Sequence, residues 1–208
     1  INTLGRIVEV VSGQSYAEFM QKRLFDPLDM KDTTFWPTAA QAARLAKSYK
    51  ANKETGKLEE TPVYFLDGAD VTDRERTAKP AGGLFSTARD VAQVYRMMLN
   101  GGSLDGKKIL SPAMAKTVTT TQSADIKTGF TEGMSWGYGF QVVKTPQGVT
   151  AGLSAGSFGH GGAYTTQSWG DPVRDRVYIL MVQITGQSPG GDASALRGAF
   201  QDAAAEVK

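Results

Sequence analysis

Residues 135–143 read SWGYGFQVV, and from Ser135 onward the spacing of apolar side chains changes from helical toward alternation. A period of two places successive side chains on opposite faces of a sheet, so the stretch predicts a strand. Two more segments continue the pattern: one around SFGHGGAY, residues 157–164, running on to Gln167, and RVYILMVQIT, residues 176–185. Turn signals at Pro146-Gln147-Gly148 and Gly170-Asp171-Pro172 separate them, which predicts three antiparallel strands. Beyond them Asp192 is expected to cap a last helix whose apolar face is Leu196, Ala199, Phe200, Ala203 and Val207.

Upstream of Ser135 the period is helical. Leu4, Ile7, Val8 and Val11 recur on one face of a helix that Gly13 is placed to end. Ser15 with Glu18 forms a capping box for a second helix, stopped by Pro27, and Asp26 to Pro37 reads as a structured loop. Thr38 opens a short alanine-rich helix to about Ala46, KSYKANKETGKLEE suggests a polar hairpin turning near Gly56, and residues 67–80 read as charged loop. Ser86 is expected to cap a helix facing inward through Val91, Val94, Tyr95 and Met98 and ended by Asn100-Gly101-Gly102. A turn at Asp105-Gly106 leads to Ser111-Pro112, an N-cap followed by proline at the first helical position. No internal repeat is present. The fold class expected is α+β: a helical region followed by a mainly antiparallel sheet with a packed C-terminal helix.

Composition narrows the function. With 208 residues, 40% of them apolar, the chain can bury a real core as one ordinary domain or two small ones. Net charge is +2 and basic residues are scattered among acids, so the footprint of a nucleic-acid binder is missing. The absence of cysteine removes disulfide, thiol and cysteine–metal chemistry. The longest apolar run, Val177 to Val182, is too short for a membrane span. The chain opens on Ile1 already in helical periodicity and without a signal-peptide layout, so it reads as a piece of a longer protein.

Three stretches or residue sets are candidate sites. GLSAG, residues 152–156, matches the G-x-S-x-G elbow of α/β-hydrolases, but more glycine and strand-like sequence follow Ser154, and no acid lies between it and His160. A metal site lacks ligands, since the chain has one imidazole, no thiol and no calcium-type acidic loop, and no cofactor is implied. His160 is the sole histidine and stands between Gly159 and Gly161-Gly162. The glycines either serve a bulge or close packing, or let a substrate approach the strand backbone, where a free N–H holds an oxyanion; spacing leaves both open.

At this point the sequence resembles the serine β-lactamase and penicillin-binding protein superfamily, on the branch of class C β-lactamases, D-amino-acid-releasing peptidases and β-lactamase-like esterases. The stretches that carry the resemblance are NTLGRIVEVVSGQSYAEFMQKRLFDPLDMKDTTF, AGGLFSTARDVAQVYRMMLNGG, WGYGF, FGHGGAYTTQSWGDP and the strand that follows. In that family S-x-x-K supplies the acylated serine and its lysine base, Y-x-N a proton-relaying tyrosine, and K-T-G or H-x-G an edge strand beside the serine. His160-Gly161-Gly162 looks like the third motif. The resemblance implies that the Ala163 N–H forms half of the oxyanion hole, with His160 supplying polarity and Gly161, Gly162 and Tyr164 lining the substrate side. An imidazole with an ordinary pKa of ~6.5 carries less charge at neutral pH than lysine, which favours an esterase or peptidase over a β-lactam hydrolase. No serine is followed by lysine at the third position, and no tyrosine by asparagine at the second.

The resemblance therefore implies a C-terminal portion of a serine hydrolase acting on ester, amide or β-lactam bonds, inactive alone, with a partial β-lactamase/transpeptidase-like fold. A partial helical lobe would span 1–115 and a sheet lobe with the C-terminal helix 116–208, the latter lacking its N-terminal strand and helix. Expected partners are a small-molecule or peptide substrate, no nucleic acid and no membrane span, plus self-association through the open edge Val177 to Thr185, or a terminus rearranged to cover it. Location would be exported, in the periplasm or cell envelope. A non-catalytic penicillin-recognising or cell-wall-binding protein and an α/β-hydrolase using Ser154 are the alternatives.

Overall fold

The computed structural model describes residues 1–52, 54–66, 68–126, 132–185 and 195–206. Local signals set the helical part. Helix α1 (Asn2–Ser12) ends at Gly13, whose φ of 67° lets its N–H reach the Glu9 carbonyl. Its inner face is made by Gly5, where a Cβ would stand 2.3 Å from Pro80, while Leu4, Ile7 and Val11 of the expected core face are exposed. Helix α2 (Tyr16–Met20) carries the full Ser15/Glu18 capping box and continues as a π-helical turn over Gln21–Phe25. Helix α3 (Ala39–Ala42), boxed by Thr38 and Gln41, is shorter than the sequence suggested. Strands β1 (Tyr49–Ala51) and β2 (Leu58–Glu60) form the expected hairpin.

Helix α4 (Ala88–Leu99) is capped by Thr87 rather than Ser86: the Thr87 hydroxyl accepts the Asp90 N–H. Ser86 instead bonds the Thr33 hydroxyl at 2.7 Å, tying the 26–37 loop to the helix start. Strands β3 (Ser103–Leu104) and β4 (Lys107–Lys108) flank Asp105-Gly106, both at positive φ as a tight hairpin turn requires. Helix α5 (Pro112–Thr119) follows its Ser111 cap.

The three strands expected after Ser135 are five, in one antiparallel sheet of order β5 (Met134–Trp136), β6 (Gln141–Val143), β7 (Phe158–Gly161), β8 (Gln167–Asp171) and β9 (Arg176–Leu180). SWGYGFQVV folds back on itself between Trp136 and Gln141, and the histidine segment turns between Gly161 and Gln167. RVYILMVQIT also breaks. After Leu180 the chain leaves the sheet, and β10 (Ile184–Thr185) pairs in parallel with β1. Part of the edge expected to be open is therefore covered within the chain.

Each sheet face is covered by one helix. On one, Tyr95 of α4 packs with Val142 and Phe158, flanked by Val91, Met98, Phe140 and Val177. On the other, Met134, Val143, Leu153, Trp169 and Tyr178 meet Phe200 and Ala204 of α6 (Ala195–Glu206). Each such large apolar side chain contributes on the order of 1.5–3 kcal/mol when fully buried. Helix α6 is rotated by about one residue from the expected face: Arg197 and Gln201 are buried, whereas Leu196, Ala199 and Ala203 are exposed. The Asp192 cap and Val207 lie outside the described residues. The α+β class and the packing of the last helix on a mainly antiparallel sheet are as expected.

Candidate active site

Register decides where His160 stands. Strand β7 pairs with β8 along its length, Gly159 opposite Trp169, His160 opposite Ser168 and Gly161 opposite Gln167. It pairs with β6 only at Phe158 and Gly159. Beyond Gly159 the β6 side of the strand has no ladder partner among the described residues, which leaves this end of β7 open. Alternation puts His160 on the face of Phe158, toward α4, and the ring is exposed.

The imidazole lies against the Trp136 indole, ring centroids 5.2 Å apart and planes 48° apart. Its Nδ1 reaches the Gly161 carbonyl. Across the pair, the Tyr95 hydroxyl donates to the Ser168 carbonyl at 3.0 Å and lies 2.8 Å from the Ser168 hydroxyl. Burial pushes the Tyr95 phenol far above the usual tyrosine range, only partly offset by its bond to Ser168, so it stays neutral and ties α4 to β8.

The glycines around the imidazole have internal causes. A Cβ on Gly159 would stand 2.1 Å from the Ser168 carbonyl and 2.7 Å from the Trp169 ring, and one on Gly162 would stand 2.3 Å from the Thr166 hydroxyl. Close packing accounts for both. The next residue differs: Ala163 is exposed, and no hydrogen bond engages its N–H among the described residues. Gly161 and Gly162 are half-buried beside it. Tyr164, expected on the substrate side, is buried with 7% exposure because the turn directs it inward, where its carbonyl accepts the Ile184 N–H. Exposed Tyr138, at the tip of the β5–β6 hairpin, is the aromatic that projects to solvent instead.

Ser154 lies on a loop entering β7, not on a strand-to-helix turn. Its N–H donates to the Asp171 carboxylate at 3.2 Å. Asp171 is fully buried and also takes the Val173 and Arg174 N–H groups and the Arg174 guanidinium. Burial opposes ionisation there, but the bonds from Ser154 and Arg174 outweigh it and hold the carboxyl below the usual carboxylate range. His160 makes its contacts elsewhere, so the elements of a nucleophile elbow are not brought together.

Among the described residues no group of three or more histidine, aspartate or glutamate side chains stands ready to hold a metal, and no helix is long and apolar enough to cross a membrane. The sequence pattern pointed to His160 and to the WGYGF stretch. It carried no sign of Ser168, or of Arg197 and Thr165, which hold the turn after the histidine.

The Beta-lactamase family model matches residues 1–202 of this chain. The chain belongs to that family. It is 33% identical over 140 residues to penicillin-binding protein 4 of Amycolatopsis lactamdurans, covering 67% of this chain and 35% of that protein. It is 36% identical over 101 residues to a lovastatin esterase of Penicillium rubens, covering 48% of this chain and 25% of that one. A solved simvastatin synthase of Aspergillus terreus, the LovD6 mutant, shares the fold with a TM-score of 0.75 at 19% identity, covering 97% of this chain and 51% of that chain. The chain spans about half the length of the curated relatives it matches.

Proposed function

We propose that this chain is the C-terminal portion of a serine hydrolase that acylates on a serine outside it and cleaves an ester, amide or lactam. The observation that carries the reading is the His160-Gly161-Gly162 run on the open end of β7, in a chain matched by the Beta-lactamase family model over residues 1–202. His160 is the polar group beside the reacting bond, and the exposed Ala163 N–H is one of two donors to the oxyanion. Gly161 and Gly162 form the wall along which a small-molecule or peptide substrate lies.

The nucleophile, its lysine base and the relay tyrosine come from polypeptide beyond this chain, and general-base activation needs those groups within hydrogen-bond reach of one another. The exposed Leu4, Ile7 and Val11 face of α1 supports such a companion segment. Helical lobe 1–115 and sheet lobe 116–208 then close on the missing part from two sides. Esterase chemistry is favoured by the lovastatin esterase relative, and by an imidazole at the place where the K-T-G form of the motif would have lysine. The penicillin-binding relative supports a cell-envelope location.

A chromogenic short-chain ester and a chromogenic cephalosporin test the chain. Alone it turns over neither, and together with the preceding segment of its parent it turns over the ester. Covalent labelling of Ser154 in the isolated chain by a fluorophosphonate would overturn the reading.

A further inference from the structure

Arg197 enters from the first turn of α6 and is 2% exposed. Its guanidinium donates to three backbone carbonyls: Gly162 at 2.7 Å, Thr166 at 2.7 Å and Thr165 at 3.3 Å. All three belong to the turn joining β7 to β8, the turn that carries Ala163. Burying a guanidinium costs several kcal/mol unless its donors are satisfied. A planar fork with five N–H groups is the side chain able to gather three oxygens at once.

The turn would not hold its shape unaided. Thr165 has a φ of 69°, and a β-branched residue in the left-handed region costs on the order of 1–3 kcal/mol. Such strain persists only where the surroundings over-determine it. Two tethers do so: the Thr165 hydroxyl donates to the Ile184 carbonyl at 2.9 Å, and the Ile184 N–H donates to the Tyr164 carbonyl at 3.2 Å. Inside the turn, Gly162 N–H reaches the Thr166 carbonyl at 2.9 Å and Thr165 N–H reaches Gly162 at 3.0 Å. Helix α6 is itself pinned to β8, because Gln167 donates to the Arg197 carbonyl at 3.1 Å and receives the Gln201 amide at 2.6 Å.

We propose that Arg197 is a positioning residue: its guanidinium holds the 162–166 turn so that the Ala163 N–H stays unbonded and exposed beside His160. The catalytic value of this rests on the reading of Ala163 as an oxyanion donor; the clamp itself does not.

Amide hydrogen exchange on the chain, comparing wild type with Arg197→Met and Arg197→Lys, tests the clamp. Arg197→Met speeds exchange across 159–168 by about tenfold or more, while α4 and the β3–β4 hairpin keep their rates. Arg197→Lys gives an intermediate rate, because an ammonium replaces a planar fork with a point charge. Unchanged exchange in the turn, or a uniform rise through the whole chain, overturns the proposal. Should the Met variant fail to fold, the Lys variant decides alone, with wild-type rates counting against the clamp. In the complete parent protein, Arg197→Met lowers kcat for the ester by about 10- to 100-fold and leaves KM within about twofold, below the 100- to 1,000-fold cost of deleting an oxyanion donor. Local loosening with unchanged kcat removes Ala163 from the oxyanion hole and leaves the clamp standing.

Discussion

Gly159→Ala puts a methyl group where the sheet has no room for one. The new Cβ would sit 2.1 Å from the Ser168 carbonyl oxygen, against 3.4 Å at the near limit of ordinary contact, with the Trp169 ring at 2.7 Å on the same side. Neither neighbour is the loose end of a flexible chain. The carbonyl is backbone in the β7–β8 ladder and accepts the buried Tyr95 hydroxyl, while Trp169 is 4% exposed inside the α6-side core. Overpacking of this kind costs about 1–3 kcal/mol, and displacing the Tyr95 acceptor adds about 1 kcal/mol, so a loss near 3 kcal/mol is expected. For a chain of this size that corresponds to a melting temperature lower by roughly 6–12 °C. Urea unfolding followed by tryptophan fluorescence and far-UV dichroism measures it, with an unchanged m-value required. Gly198→Ala is the control: it lies in α6 with nothing within 4 Å of its added Cβ, and it stabilises by about 0.5–1 kcal/mol. A Gly159→Ala variant within about 0.5 kcal/mol of wild type would refute the reasoning.

Asp171→Asn destabilises by about 1–3 kcal/mol near neutral pH, because a buried acceptor of several N–H groups loses its charge. The Asp171 carboxyl is held below its unfolded value, so its contribution is complete above about pH 4 and is lost as pH falls through the lower folded pKa; acid titration of stability shows this fall in wild type and not in the variant. Thr87→Ala costs about 1 kcal/mol as the loss of the α4 cap, seen in thermal melts, whereas Ser86→Gly leaves the cap bond in place. Sedimentation velocity at rising concentration detects self-association through the remaining edge of β9, and a monomer at every concentration would remove that idea.

What the sequence revealed and what it concealed divide along a physical line. Caps at Ser15, Thr38 and Ser111 and the left-handed stop at Gly13 are readable because one residue bonds its own neighbours. The strand count was not readable, because alternation continues through the short turn between Trp136 and Gln141, and nothing in a threonine announces the left-handed conformation of Thr165. Helix α6 misled for a related reason. Its inward positions hold Arg197 and Gln201, whose partners are carbonyls of the β7–β8 turn and the Gln167 amide of the sheet, so an apolar count finds the wrong face.

The site follows the same division, and it answers why the one imidazole stands among glycines. Gly159 is small because Trp169 crosses the strand beneath it, and Gly162 because the turn closes on Thr166. The first need comes from the core, on the face away from His160, and the second from the closure of the turn itself. A strand flattened on one side by a large indole is held rigidly, and its other side can then present an exposed ring and, three residues on, an exposed N–H at fixed spacing. Preorganised donors are worth most when nothing must move as charge develops. Under the proposed function, the packing reading and the substrate reading of the glycines, which spacing alone left open, become one mechanism: tight packing behind the strand fixes the geometry in front of it.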